Sequence, residues 1–227
     1  MFSMDSFDAK YDSDTTEVVI NDRQFRILSP ASLEPFVAAN DLFHHFPLWC
    51  KIWDASRVLA GFLGQTPVKP GKRLLEIGAG LGLVSIVAAA AGHNIMLTEY
   101  NLDALEFARA NATINGLPAL VMQRLDWNRP EVAGKFDTIV GSEVVYKKED
   151  FEPLIRFFKH VLQPGGEIIL ASEARPIIAD FLRRIEPDYH VRFKESAFRA
   201  RDREIRVILI KLSPRPAPPY SKMRSSR

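Results

Sequence analysis

The chain has 227 residues, of which 47% are apolar and 26% charged, with 12 glycines and a net charge of +2. That length suits one sizeable domain and leaves little room for two, and the composition excludes a disordered or collagen-like chain. The longest apolar run, residues 81–92, falls short of the roughly 20 residues a bilayer crossing needs and is rich in small side chains, so no membrane association is expected.

Residues 1–14 carry four aspartates and no basic or apolar leader pattern, which predicts a flexible N-terminus and a cytoplasmic setting. Two β-prone runs, 16–20 and 23–28, flank Asn21-Asp22, a pair suited to the left-handed backbone of a two-residue hairpin turn. Aromatic residues are dense over 42–63, and Trp53, Val58, Leu59 and Phe62 recur at helical spacing, predicting a helix over about 51–63. Cys50 is the single cysteine and has no partner at metal-ligand spacing, so a buried or half-buried thiol and no metal centre are expected.

From residue 71 short β-branched runs alternate with longer helical patterns, the signature of βαβ units and a parallel sheet. Strands are predicted at 73–77, 94–98, 119–123, 136–141 and 167–171, with helices at 81–91, 103–115 and 150–162 and a turn at Pro164-Gly165-Gly166. A last helix at 176–185 precedes two alternating runs, 190–198 and 204–212, that read as an antiparallel pair. The fold class is therefore α/β: a Rossmann-like, mostly parallel seven-strand sheet with an antiparallel closing hairpin, helices on both faces, and an N-terminal β-hairpin. One domain spans 15–212, with the hairpin and first helix in 15–70 and the sheet in 71–212. Residues 213–227 hold four prolines and four basic residues with no acid, leaving the rest at −2, and are expected to be a disordered tail.

The most informative stretch is Leu74-Leu75-Glu76-Ile77-Gly78-Ala79-Gly80-Leu81-Gly82, where a strand runs into closely spaced glycines and then a helix. Such a loop turns sharply and lets a ligand lie against bare backbone, with helix amides facing it. A dinucleotide fingerprint fails because Leu83 stands where its last glycine belongs, and no Gly-Lys-Ser/Thr follows for a P-loop. Glu99 lies 21 residues after Gly78 at a strand end, and a carboxylate there can accept from both hydroxyls of a vicinal diol. Asp126-Trp127 follows the third strand and Ser142-Glu143-Val144-Val145-Tyr146 the fourth.

The pattern E-x-G-x-G-x-G resembles class I, seven-strand, S-adenosylmethionine-dependent methyltransferases. The pre-loop segment 49–60 with Trp53, the run Glu99-Tyr100-Asn101, Asn111-x-x-x-Asn115-Gly116, and Glu143-x-x-Tyr146 are similar to the family 16 protein-lysine methyltransferases, with Glu143 replacing an aspartate. The resemblance covers about 49–212. It implies that Trp53, Glu76, Gly78, Ala79, Gly80, Gly82, Leu83, Glu99, Tyr100, Asn101, Asp126, Trp127 and Ser142 hold S-adenosylmethionine and its product S-adenosylhomocysteine. Glu143 is expected to capture a lysine ammonium of a protein substrate and Tyr146 to shape its pocket, with the hairpin at 16–28 and the segment 175–203 beside the acceptor. A protein histidine, a small molecule or RNA, the last guided by the basic tail, are the alternative acceptors, and an inactive binding module is a further alternative. A monomer is expected.

Overall fold

The computed structural model describes residues 2–37, 47–200 and 203–216. Nine strands and six helices follow one another as α1 (Met4–Lys10), β1 (Ser13–Ile20), β2 (Arg23–Pro30), α2 (Asp54–Gln65), β3 (Arg73–Glu76), α3 (Leu83–Ala90), β4 (Asn94–Glu99), α4 (Leu102–Ile114), β5 (Val121–Arg124), β6 (Phe136–Ser142), α5 (Phe151–Val161), β7 (Leu162–Glu173), α6 (Pro176–Ile185), β8 (Tyr189–Ala200) and β9 (Arg203–Pro214). The main sheet has the order β5-β4-β3-β6-β7-β9-β8, and β1-β2 form a separate antiparallel pair. β5, β4, β3, β6 and β7 run parallel, while β9 returns antiparallel to β7 and β8. This is the predicted architecture.

Alternation along the strands divides the interior into two cores, because successive strand side chains point to opposite faces. Ile169, Ala171 and Val140 pack with Leu59 of α2, Ile86 of α3 and Phe107 of α4, whereas Ile168, Leu170 and Ile139 pack with Phe157 of α5 and Phe181 of α6. At the hairpin turn Asn21 and Asp22 have φ of 50° and 61°, the left-handed pair that the Asn-Asp sequence predicts.

Three expectations need correction. The flexible N-terminus is instead α1, capped by Ser3, whose hydroxyl accepts from Ser6 N. Its Phe7 is 2% exposed and meets Phe107 edge-on at 4.9 Å, burial that outweighs the helix's short length. The helix predicted from 51 begins at Asp54, because Leu48–Cys50 form a separate 3₁₀ turn. The glycine turn before the fifth strand is a bulge inside β7: Leu162 pairs with Phe136 and Glu167 with Thr138, and Gly165 takes φ +76° between them.

The expected disordered tail is also partly ordered. Ser213 and Pro214 pair with His190 and Tyr189, while the residues beyond 216, like Phe43 and Phe46, lie outside the described residues.

In this strand order the chain leaves β3 toward β4 on one side and later returns to β6 on the other. The C-terminal ends of β3 and β6 therefore flank a topological switch point, where α/β sheets open a ligand crevice.

Candidate active site

The loop after β3 is built for close approach. Gly78, Gly80 and Gly82 all have positive φ, at 59°, 54° and 85°, a region costly for residues with a Cβ. A Cβ on Gly78 would sit 2.9 Å from Val144 Cγ1, and one on Gly80 would sit 3.4 Å from the Trp49 carbonyl. The loop thus lies pressed between the segment following β6 and the 3₁₀ turn that precedes α2.

Acidic side chains gather around it from adjacent strand ends. Glu76, the last residue of β3, is fully buried; its Oε2 accepts from Ser85 N at 2.9 Å and from the Ser85 hydroxyl. Its Oε1 is buried with no partner, and burial pushes its carboxyl up to about 8 despite the Ser85 hydrogen bonds. Thr98 Oγ1 donates to the Glu76 carbonyl at 2.5 Å, fastening the ends of β3 and β4 together.

Glu99 ends β4. Its Oε2 accepts from Gly80 N at 2.9 Å, and its Oε1 accepts from Tyr100 N at 2.6 Å and Asn101 N at 2.9 Å. Burial raises its carboxyl, opposed by those three amides. A carboxylate has about four lone-pair sites, so Glu99 both locks the glycine loop and keeps acceptor capacity. Asn101 caps α4, its side chain accepting from Ala104 N at 3.0 Å, and Tyr100 is exposed under the Arg124 guanidinium.

Asp126 is half-buried and accepts from Asn128 N at 2.8 Å in an Asx turn, and the neighbouring Trp127 reaches to 4.0 Å of a Cβ placed on Gly78. Ala79 N is bonded to the Thr98 carbonyl, Leu83 opens α3, and Ser142 ends β6 half-buried. The structure therefore brings the sequence-predicted residues of the glycine loop, β4, β5 and β6 to one edge of the sheet.

Trp53 is placed differently. It stands at the start of α2, its indole N–H donates to the Leu48 carbonyl at 2.7 Å, and Lys51 lies 3.5 Å over its ring. The tryptophan against Gly80 is Trp49, which the sequence reading passed over.

Glu143 is a non-glycine residue at φ 53°, a left-handed conformation costing about 1–2 kcal/mol. The turn carries its carboxylate over the end of β7, where Oε1 accepts from Glu173 N at 2.6 Å and Oε2 accepts from Ser172 Oγ at 3.2 Å and pairs with Arg175. Burial raises the carboxyl, and the Glu173 amide, Arg175 and Ser172 pull it down. Glu143, expected to receive a lysine ammonium, is already ion-paired within its own chain. Arg175 was missed because its partner lies 32 positions earlier and no local pattern links them. Tyr146 is 39% exposed, and burial raises its hydroxyl, with Asp150 and Glu99 adding to the effect.

Of the two segments expected beside the acceptor, only the Arg175 end of the second touches Glu143 among the described residues. The β1-β2 hairpin lies behind the glycine loop: Asn21 Nδ2 donates to the Gly61 carbonyl and Arg23 to the Ala90 carbonyl, at 2.8 Å each. A cavity of about 370 Å³ lies beside Arg175, between α6 and the β8-β9 pair, lined by Ile178, Leu182, Phe193 and Ile208. Cys50 is buried, which pushes its thiol up to about 12.

A family model described as lysine methyltransferase matches residues 47–189. Protein N-lysine methyltransferase METTL21A of Danio rerio is 39% identical over 133 residues, 53% of this chain and 58% of that protein. EEF1A lysine methyltransferase 3 of Mus musculus is 30% identical over 170 residues, 68% of this chain and 73% of that protein. The match thus spans less than two thirds of the Danio rerio protein's length. Among solved structures, TYW2 of P. horikoshii in complex with MeSAdo aligns over 90% of this chain and 73% of its own, with a TM-score of 0.57 and 17% identity, a likeness of fold. On the strength of the family match and these relatives, the chain belongs to the lysine methyltransferase family.

Proposed function

We propose that the protein is an S-adenosylmethionine-dependent methyltransferase acting on a lysine side chain of a protein substrate. The observation carrying this reading is the buried, unpartnered Glu76 Oε1 at a left-handed glycine loop that Glu99 locks at Gly80 and Val144 meets at Gly78. When bound, S-adenosylmethionine supplies a methyl group on a positively charged sulfonium. The residues fit it: Glu76 Oε1 can accept from its ammonium group, Glu99, with three of its about four lone-pair sites taken by amides, has one left for a ribose hydroxyl, and Asp126 and Trp127 offer a polar and a stacking face to adenine. The likeness to METTL21A and to EEF1A lysine methyltransferase 3, both lysine methyltransferases, supports a protein lysine as acceptor.

Glu143 and Tyr146 stand at the acceptor end. Transfer depends on in-line alignment of a nucleophilic nitrogen, and a lysine must first lose a proton, which costs about 4 kcal/mol near neutral pH. We place the protein in the cytoplasm as a monomer; among the described residues no helix is long and apolar enough to cross a membrane.

The test is tritiated methyl transfer from S-adenosylmethionine into lysate of cells lacking the gene, split by protease and ribonuclease. Label in a protease-sensitive band, recovered as methyl-lysine and largely lost in Glu143→Ala with cofactor affinity within a few fold, is the expected result. Label lost to ribonuclease, or recovered as methyl-histidine, would overturn the lysine assignment.

A further inference from the structure

Arg175 belongs to none of the sequence motifs, yet its position is tightly determined. It precedes Pro176, which disfavours the helical region for the residue before it, and it is extended at φ −127°, ψ 151°. Ala174 N donates to the Arg206 carbonyl at 2.9 Å, continuing the β7-β9 pairing to its doorstep. From there Arg175 Nη2 reaches Glu143 Oε2 and, at 3.2 Å, Ser172 Oγ. The Glu143 side chain is 12% exposed and that of Arg175 38%, so the carboxylate end is shielded from water while the guanidinium stays partly screened.

Other charged and titratable groups border the same place. Glu173 on β7 adds negative field at Glu143, and Tyr146 follows it on the chain. Glu99 and Asp150 act on Tyr146, and Lys147 acts on Asp150. Arg206 on β9 is spent on Glu195 and Glu204. Among the described residues, Arg175 is the ion-pair partner of Glu143.

We propose that Arg175 is a positioning residue whose fixed charge cancels that of Glu143, so that Glu143 accepts a hydrogen bond from a neutral acceptor amine instead of holding an ammonium ion. The proposal rests on the lysine reading above and deepens it. A lone carboxylate beside a lysine favours the cation and raises its pKa by about 1–3 units, which opposes a reaction needing the nitrogen lone pair. A carboxylate already balanced by a guanidinium keeps its acceptor lone pairs and loses most of that pull. The amine nitrogen then forms its new bond to the methyl carbon as the carbon–sulfur bond breaks and its electron pair returns to sulfur; the surplus proton on nitrogen leaves to water.

The test follows methyl-lysine formation in dialysed lysate of cells lacking the gene, with tritiated S-adenosylmethionine saturating and the product quantified after acid hydrolysis, from about pH 6.5 to about 10. Lysate protein is raised until the rate no longer depends on it, so that both substrates saturate and the rate reports ionisations of the assembled complex. Arg175→Gln is expected to move the alkaline-rising limb up by about one pH unit, a loss of about tenfold at pH 7.5 that closes toward pH 10. Arg175→Lys keeps the charge and the wild-type limb. A pH-independent loss in Arg175→Gln would overturn the proposal, as would a gain at all pH values, which would make Arg175 a plug. If Arg175→Gln no longer binds cofactor by calorimetry, Glu143→Gln carries the test. There Arg175 is uncompensated, the limb of the residual activity moves to lower pH, and an unmoved limb overturns the proposal. Absence of methyl-lysine from the wild type would overturn the lysine reading itself, before any variant is compared.

Discussion

At the residue scale the glycine loop is surrounded by carboxylates whose burial sets their chemistry. Glu76 holds its carboxyl near 8 in the folded chain, against an ordinary glutamate near 4.3 once unfolded. Between those values the folded protein keeps a proton that the unfolded chain releases. Stability from this group is therefore complete below about pH 4.3 and is lost as pH rises through about 8, by up to about 1.4 kcal/mol per unit. Glu76→Gln, which keeps an acceptor for Ser85 without the charge, should melt higher than the cofactor-free wild type near pH 8.5 and level with it near pH 5. Thermal unfolding across that range checks it, and a difference that stays flat with pH would remove the buried proton from Glu76. Glu99, by contrast, has its burial opposed by three backbone amides. Glu99→Ala should weaken cofactor binding before it affects turnover; unchanged affinity in calorimetry would sink its assignment to the ribose. Both carboxylates were legible in the sequence because each is fixed by a strand end and a count from the glycines. Trp49 and Arg175 were not, since each acts on a partner distant in sequence: Gly80 is 31 positions from Trp49, and neither pairing leaves a local spacing.

At the element scale, one helix face does work that the sequence displayed only as a motif. Asn111 and Asn115 lie one turn apart on the exit half of α4 and meet alternate residues of β2. Asn111 accepts from Leu28 N at 2.7 Å and donates to the Leu28 carbonyl at 3.1 Å; Asn115 accepts from Arg26 N at 3.1 Å and donates to the Arg26 carbonyl at 2.7 Å. Two carboxamides thus satisfy the open edge of β2 as a neighbouring strand would. Asn111 Nδ2 also reaches the Leu81 carbonyl at 3.0 Å, so the same side chain ties the hairpin to the glycine loop. Asn111→Ala would strand three backbone groups worth about 1–3 kcal/mol each and should lower Tm by at least about 6 °C. Amide exchange should quicken in β1 and β2 while β6 and β7 stay protected, and uniform quickening would mean that the hairpin and the sheet unfold as one unit. Strand periodicity and the Asn21-Asp22 turn disclosed the hairpin, but nothing local disclosed what it docks on. The same holds for α1, whose seven residues carry few apolar positions and are ordered by Phe107, a hundred positions away.

For the whole molecule, strand direction decides where the chain leaves the sheet relative to the site. β9 begins beyond the C-terminal edge of the parallel strands, passes Glu173 at Val207, and leaves Ile168 behind at Leu212. Pro214 then pairs with Tyr189, Arg215 N donates to the Asp188 carbonyl at 2.8 Å, and Arg215 Nε donates to the Glu186 carbonyl at 2.9 Å. Seven residues of extended chain, roughly 23 Å, separate Val207 from Pro214, so the chain leaves the sheet at the edge opposite Glu76, Glu99 and Glu143. The basic segment as a guide for RNA is an idea that charge alone suggested, and it is open to a direct test. Cutting the chain after Pro216 should leave the rate of methyl transfer and its salt dependence unchanged, whereas a polyanionic acceptor steered by Lys222, Arg224 and Arg227 would lose several counterion-linked contacts and show a shallower salt slope. Initial rates of both forms across a range of ionic strength decide between them: coincident slopes remove the tail from acceptor selection, and a flattened slope would return the tail, and a nucleic-acid acceptor, to consideration.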